Sequence, residues 1–282
     1  MTRPVRSRRR GGSLLVITAV VAATGIGTAC AEVGLGPDEP AAIELTPFPS
    51  PSVVVGDTFR NIDGVATPVR ALVFNVRGDI IDGATPRYLY ADFKLDSVLS
   101  VDSITGYVVA RKIASTEKRI AARVGGSLQV LRGIRIVSRP DSVSGRSLTT
   151  ILGTSLPDTG RRGLDSNSTK ALTVTVRHVE ADAVTGVGSW PVRFELLTPA
   201  NPKNDTTAAA FLVDDQGRAS IIDTTDDSGV AGRRVRVRAL QFPVSAAVES
   251  VVVRATVTYR GKPLKGSPVR MTAPVRRGSG SP

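Results

Sequence analysis

Few residues in this chain could do covalent or acid–base chemistry, and their spacing does not bring them together. His178 is the only histidine and Cys30 the only cysteine among 282 residues, so a His/Cys zinc site cannot be assembled. Nucleophilic catalysis needs a base beside the nucleophile. His178 stands in an alternating apolar/polar run and reads as an exposed or edge residue of a strand. No serine occupies a Gly-x-Ser-x-Gly elbow, because Gly186-Val187-Gly188-Ser189-Trp190 has the wrong spacing. No phosphate loop of the Gly-x4-Gly-Lys-Ser/Thr type occurs, and no cofactor is expected. The acids Asp214, Asp215, Asp223, Asp226 and Asp227 gather in two turn-like segments. Oxygen ligands from loops suit Ca²⁺, but no Asp-x-Asp-x-Asp-Gly loop frames these acids. Aspartates in turns commonly accept bonds from backbone N–H groups instead, so no metal site is assigned. Trp190, the only tryptophan, precedes Pro191 and reads as a core or inter-domain plug rather than a sugar platform. The chain is not expected to be an enzyme.

Cys30 is informative through its position. Five arginines lie within the first ten residues, and Leu14 to Ile26 is an apolar run. That run is shorter than the ~18 apolar residues a bilayer span needs, and it suits the core of an export signal. Gly27-Thr28-Ala29-Cys30 follows. It resembles a bacterial lipobox, with Gly27 standing where an aliphatic residue is usual. The resemblance implies cleavage before Cys30 and lipidation of that residue, hence a membrane partner through an N-terminal lipid anchor and a place in the cell envelope, at the outer membrane. The alternative is an ordinary Ala29-Cys30-Ala31 site, cut before Glu32, which releases a soluble secreted or periplasmic protein. Glu32 to Ser52 carries five prolines and two glycines and reads as an extended spacer.

Everything beyond reads as β-strand. Leu172 to Arg177, Val192 to Leu196, Val235 to Ala239 and Val253 to Tyr259 alternate apolar with polar residues, so each would bury one face and wet the other. Turn signals fall between such runs: Arg77-Gly78-Asp79, Asp82-Gly83, Asp102 to Gly106, Gly125-Gly126, Asp214 to Gly217, Asp226 to Gly229 and Gly261-Lys262-Pro263. With aromatics at 4%, the cores must be built from Val, Ile, Leu and Ala. Arg139 to Lys170 interrupts the pattern with Ser, Thr, Gly and Asp and reads as a boundary that could hold some edge strand. The expected organisation is a signal peptide at 1–29, a linker at 30–44, a sandwich at 45–140, a linker at 141–168, a second sandwich at 169–272 and a flexible tail at 273–282. The expected fold class is all-β, two antiparallel sandwiches in tandem, each near the ~100 residues of an immunoglobulin domain.

The net charge of +12 sits at the two ends: residues 1–29 hold +5, residues 251–282 hold +7, and the middle is neutral. A nucleic-acid binder carries its basic face on the folded domain with aromatics for stacking, so no nucleic-acid partner is expected. The first half resembles bacterial immunoglobulin-like domains of group 2. The likeness rests on Val53-Val54-Val55-Gly56-Asp57-Thr58, Ala71 to Gly78, Tyr88 to Asp92 and Thr105-Gly106-Tyr107-Val108-Val109-Ala110. The second half is similar to the group 1 repeats of invasin- and intimin-type adhesins, through Pro191-Val192-Arg193-Phe194 and the turn Thr224-Thr225-Asp226-Asp227-Ser228-Gly229-Val230-Ala231. Neither family carries a catalytic site. The resemblance implies a surface spacer or adhesion protein with an unknown protein or polysaccharide partner; the alternative is a carbohydrate- or polymer-binding envelope module.

Overall fold

The computed structural model describes residues 36, 39–92, 98–154, 167–238 and 249–277, and every regular element among them is a strand. The first sandwich contains β1 (Ala42–Leu45), β2 (Ser52–Val54), β3 (Ala71–Phe74), β4 (Arg87–Tyr90), β5 (Leu99–Val101), β6 (Val108–Ala110), β7 (Lys118–Val124) and β8 (Leu128–Val137). One sheet has the order β2-β8-β7-β4, and the pairs β1-β3 and β5-β6 complete the sandwich. All pairings are antiparallel except β2 with β8. Phe59, Val108, Ile120 and Ile134 lie fully buried at its centre. Along β8 the side chains alternate as the sequence pattern requires, with Ile134 and Ile136 inside and Arg135 reaching water.

The second sandwich contains β9 (Ser142–Gly145), β10 (Leu152–Thr154), β11 (Leu172–Glu180), β12 (Ala183–Gly186), β13 (Pro191–Thr198), β14 (Ala210–Val213), β15 (Ile222–Thr224), β16 (Val230–Val237), β17 (Glu249–Thr256), β18 (Thr258–Tyr259), β19 (Lys262–Pro263) and β20 (Val269–Arg277). Its sheets are β10-β20-β17-β13-β15 and β12-β11-β16-β14, the latter extended by β9 on β11. The run β9-β11-β16-β14 is the A-B-E-D sheet of an immunoglobulin sandwich and β20-β17-β13 its G-F-C sheet. Phe194, Leu172, Leu196, Leu212 and Met271 are each at most 1% exposed. Burying a side chain of this size stabilises by about 1.5–3 kcal/mol.

The expected tail at 273–282 is corrected by β20, which runs to Arg277 and pairs there with β17 and β10, and two stretches expected to link elements also contain strands. β9 and β10 fall inside the expected linker at 141–168: β9 pairs antiparallel with β11, and β10 pairs parallel with β20. β9 hides only Val143, so it is held mainly by backbone bonds and needs little apolar sequence. Within the expected spacer, β1 pairs with β3 and buries Leu45. Every turn signal read from the sequence places a glycine in the left-handed region, from Gly78 to Gly261. One arginine breaks the expected wet-face rule. Arg233 of β16 points between the sheets, 7% exposed, where its Nη1 pairs with Asp223 at 2.8 Å and another bond runs to the carbonyl of Ile222.

Candidate functional site

The densest constellation of interacting charges lies where the two sandwiches meet. Gly56-Asp57-Thr58 follows β2, and Asp57 is only 4% exposed. Its Oδ1 accepts from the Thr58 backbone N–H at 2.8 Å and from Arg60 Nη2 at 3.1 Å. Its Oδ2 accepts from Arg60 Nε at 3.0 Å, Arg260 Nε at 2.9 Å and the Tyr259 hydroxyl at 3.0 Å. One carboxylate of the first sandwich is thus bonded from both sandwiches. Burial by itself would raise its pKa; the hydrogen bonds from Arg260, Arg60, Thr58 and Tyr259 outweigh burial and hold it well below the usual carboxylate range. Burial and the neighbouring carboxylate raise the pKa of Tyr259, keeping it a neutral donor.

The partners from the second sandwich are delivered by a tight hairpin. Tyr259 pairs with Lys262, and Arg260 and Gly261 between them have φ of 49° and 73°. Two consecutive positive φ values make the two-residue turn that fits strand twist, and Gly at the second position is its usual occupant. The tip rests on the first sandwich at Gly64, whose φ is 83°. A Cβ there would lie 1.9 Å from the Gly261 nitrogen and 2.5 Å from the Arg260 carbonyl carbon, so only glycine permits the approach.

Further contacts flank this point. The Ser52 hydroxyl donates to the Ser189 carbonyl at 2.7 Å, and the Thr258 hydroxyl to the Ile62 carbonyl at 3.3 Å. Ion pairs Arg193–Asp63 at 3.4 Å and Arg135–Asp227 at 3.0 Å close the exposed rim. Val54 and Val137 of the first sandwich join the apolar core of the second, next to Trp190, whose ring meets Tyr259 edge-on at 6.2 Å. The crevice lined by these residues holds about 20 Å³ of free space, enough for about one water.

Trp190 is 8% exposed and takes the expected role of an inter-domain plug. His178 is half-buried rather than exposed: its Nδ1 lies 2.8 Å from Asp141 Oδ2, tying β11 to the segment that enters the second sandwich. The grouped acids are spread over separate partners. Asp214 holds Arg218, Asp215 faces Arg234, Asp223 neutralises Arg233, and Asp227 reaches Arg135. Asp226 accepts from the backbone N–H groups of Ser228 and Val230, the turn chemistry that the Thr-Asp-x-x-Gly spacing allows. Among the described residues no three acids, histidines or cysteines converge as metal ligands would. Cys30 lies outside the described residues. In the sequence Gly56-Asp57-Thr58 shows only as the turn after a strand, and nothing in it displays Asp57 as the organiser of the joint. The available signal is an acid three residues after a buried strand, but its partners lie 202 and 203 residues away.

No protein-family model matches the chain, and no curated protein sequence does. Solved structures are similar in outline. The D00-D0 domain of intimin is 15% identical with a TM-score of 0.27, the match covering 83% of this chain and 98% of that one. Domains 4 and 5 of the S-layer protein SbsC are 12% identical with a TM-score of 0.27, covering 84% and 99%. The Yersinia pseudotuberculosis adhesin InvE is 13% identical with a TM-score of 0.30, covering 83% and 58%.

Proposed function

We propose that this chain is a non-enzymatic exported spacer of the cell envelope, anchored through a lipid on Cys30, that carries two firmly joined immunoglobulin-like sandwiches away from the membrane to meet a protein or polysaccharide partner. The observation that carries this reading is the joint. Domains within a chain move relative to one another by default unless the interface is extensive and apolar. Here an apolar core runs from one sandwich into the other, a buried carboxylate is bonded from both sides, and a hairpin tip is seated on a glycine. Such a joint transmits position over the length of both domains. The five arginines, apolar run and Cys30 supply the export and anchoring half of the reading. One acyl chain holds a protein at a membrane only marginally, at ~0.8 kcal/mol per CH₂, so a stable anchor takes several.

Metabolic labelling with a fatty-acid analogue tests the anchor: the wild type takes up label and fractionates with membrane, and Cys30→Ser does neither. Retention of label by Cys30→Ser removes the anchor from the proposal. Distance measurement between spin labels at Arg77 and Lys203, one exposed loop on each sandwich, tests the spacer. A single narrow distribution is expected, and a broad one would show the sandwiches to be hinged.

A further inference from the structure

An open groove of about 360 Å³ runs beside the joint between the segment Arg139–Asp141 and the β18–β19 hairpin with the two residues after it. We propose that this groove binds an acidic polysaccharide. Its lining carries four cations, Arg139, Arg260, Lys262 and Lys265, against the single carboxylate of Asp141. Arg139 is paired with Asp141 and Arg260 with Asp57, yet 62% and 52% of these side chains remain exposed. A guanidinium has five N–H donors, so each keeps donors for a ligand. Lys262 and Lys265 are exposed and make no ion pair among the described residues. Three of the seven cations of the C-terminal stretch, Arg260, Lys262 and Lys265, are brought by the fold beside Arg139.

The groove is also fixed in shape. Lys265 N–H donates to the Asp141 carbonyl at 3.3 Å and Val143 N–H to the Lys265 carbonyl at 2.9 Å, joining its two lips through the backbone. Leu264 N–H donates to the Val257 carbonyl at 3.1 Å and anchors the floor. The backbone that carries Lys265 and Leu264 is thus held, and the exposed lysine side chains can reach a ligand from it. The floor between them is apolar, formed by Pro140, Pro263 and Leu264. An apolar floor flanked by cations suits sugar rings bearing carboxylates. Stacking of bases would need a free aromatic face, and the one ring present, Tyr259, is met by Trp190 edge-on and by Arg260 at 5.4 Å.

The choice of an envelope polymer rests on the proposed export, but binding in solution does not. Loss of export with binding intact would remove the former alone. The test uses the full chain in detergent micelles, titrated calorimetrically with polygalacturonate, with neutral dextran, phosphatidylglycerol vesicles and duplex DNA as comparators. Saturable binding to polygalacturonate that weakens with salt is expected. Lys262→Glu/Lys265→Glu should weaken it by about tenfold or more, whereas Arg77→Glu/Lys203→Glu, with the same change in net charge on distant exposed sites, should alter it by less than about twofold. If Trp190 emission shows that the first variant disturbs the joint, Lys262→Gln/Lys265→Gln gives the same reading by charge removal alone. Absence of binding, equal binding to dextran, equal loss in the distant variant, or tighter binding to vesicles or DNA would overturn the proposal.

Discussion

Asp57→Ala removes the acceptor on which both sandwiches converge, and its cost can be worked from the geometry. Five bonds are lost: two from Arg60, one each from Arg260 and Tyr259, and one from the Thr58 backbone. A hydrogen bond to a charged group contributes about 1.5–3 kcal/mol, and stripping one partner from a buried ion pair costs about 3–5 kcal/mol. The arginines are not sealed in, since 27% of the Arg60 side chain and 52% of the Arg260 side chain are exposed. Both can rehydrate, which draws the expected loss down to about 2–3 kcal/mol. Only part of that belongs to the joint, because Thr58 and Arg60 are neighbours of Asp57 within the first sandwich. The Asp57–Arg260 coupling in a double-mutant cycle should therefore be about 0.5–1 kcal/mol. The assay is urea unfolding at pH 7 followed by tryptophan emission. Trp190 is the only tryptophan and packs on Tyr259, so its spectrum reports the joint itself. Asp57→Ala should shift the midpoint and redden the emission under native conditions. A lower midpoint with native emission unchanged, and no coupling to Arg260, would refute the claim that this carboxylate holds the sandwiches together.

The seat of the hairpin gives a complementary prediction. Gly64→Ala should separate the sandwiches while leaving strand content intact, because the new Cβ meets backbone that no side-chain rotation can clear. Circular dichroism and the label-to-label distance distribution read the two effects apart, and an unchanged narrow distribution would count against it. Asp223→Ala should destabilise the second sandwich by about 3–5 kcal/mol, because it leaves Arg233 buried without its counter-charge. Asp223→Ala/Arg233→Met should recover most of that loss in the same denaturation assay. Acid should weaken the protein only below the ordinary carboxylate range. Asp57, Asp92, Asp141 and Asp226 are all held below their usual pKa when folded. The unfolded chain therefore takes up protons first, so their contribution is complete above about pH 4–5 and drains away as pH falls towards the folded values. Thermal midpoints should be level between pH 5 and 8 as far as these groups are concerned, and a fall already at pH 6 would show another group in control.

The strands and their turns were legible because the signals are local. Alternation over Leu172 to Arg177 or Val192 to Leu196 reports which side of a pleat each residue takes, and a glycine between two such runs reports a left-handed corner, whatever the rest of the chain does. The signal is weak for β9, read only as possible edge-strand content within a linker, because its Ser-Val-Ser-Gly pairs through its backbone and buries one side chain. Nor could a sequence pattern show that Arg233, at an inward position of β16, would meet the Asp223 side chain of the other sheet. Composition and order along the chain thus determined the all-β class, the tandem repeat of sandwiches and the scarcity of reactive side chains. Tertiary structure alone decided that Asp57 would meet Tyr259 and Arg260, that Gly64 would seat a distant turn, and that basic residues from two segments would share one groove. Those choices depend on packing between segments up to 203 residues apart, and such a distance leaves no periodicity for a sequence to display.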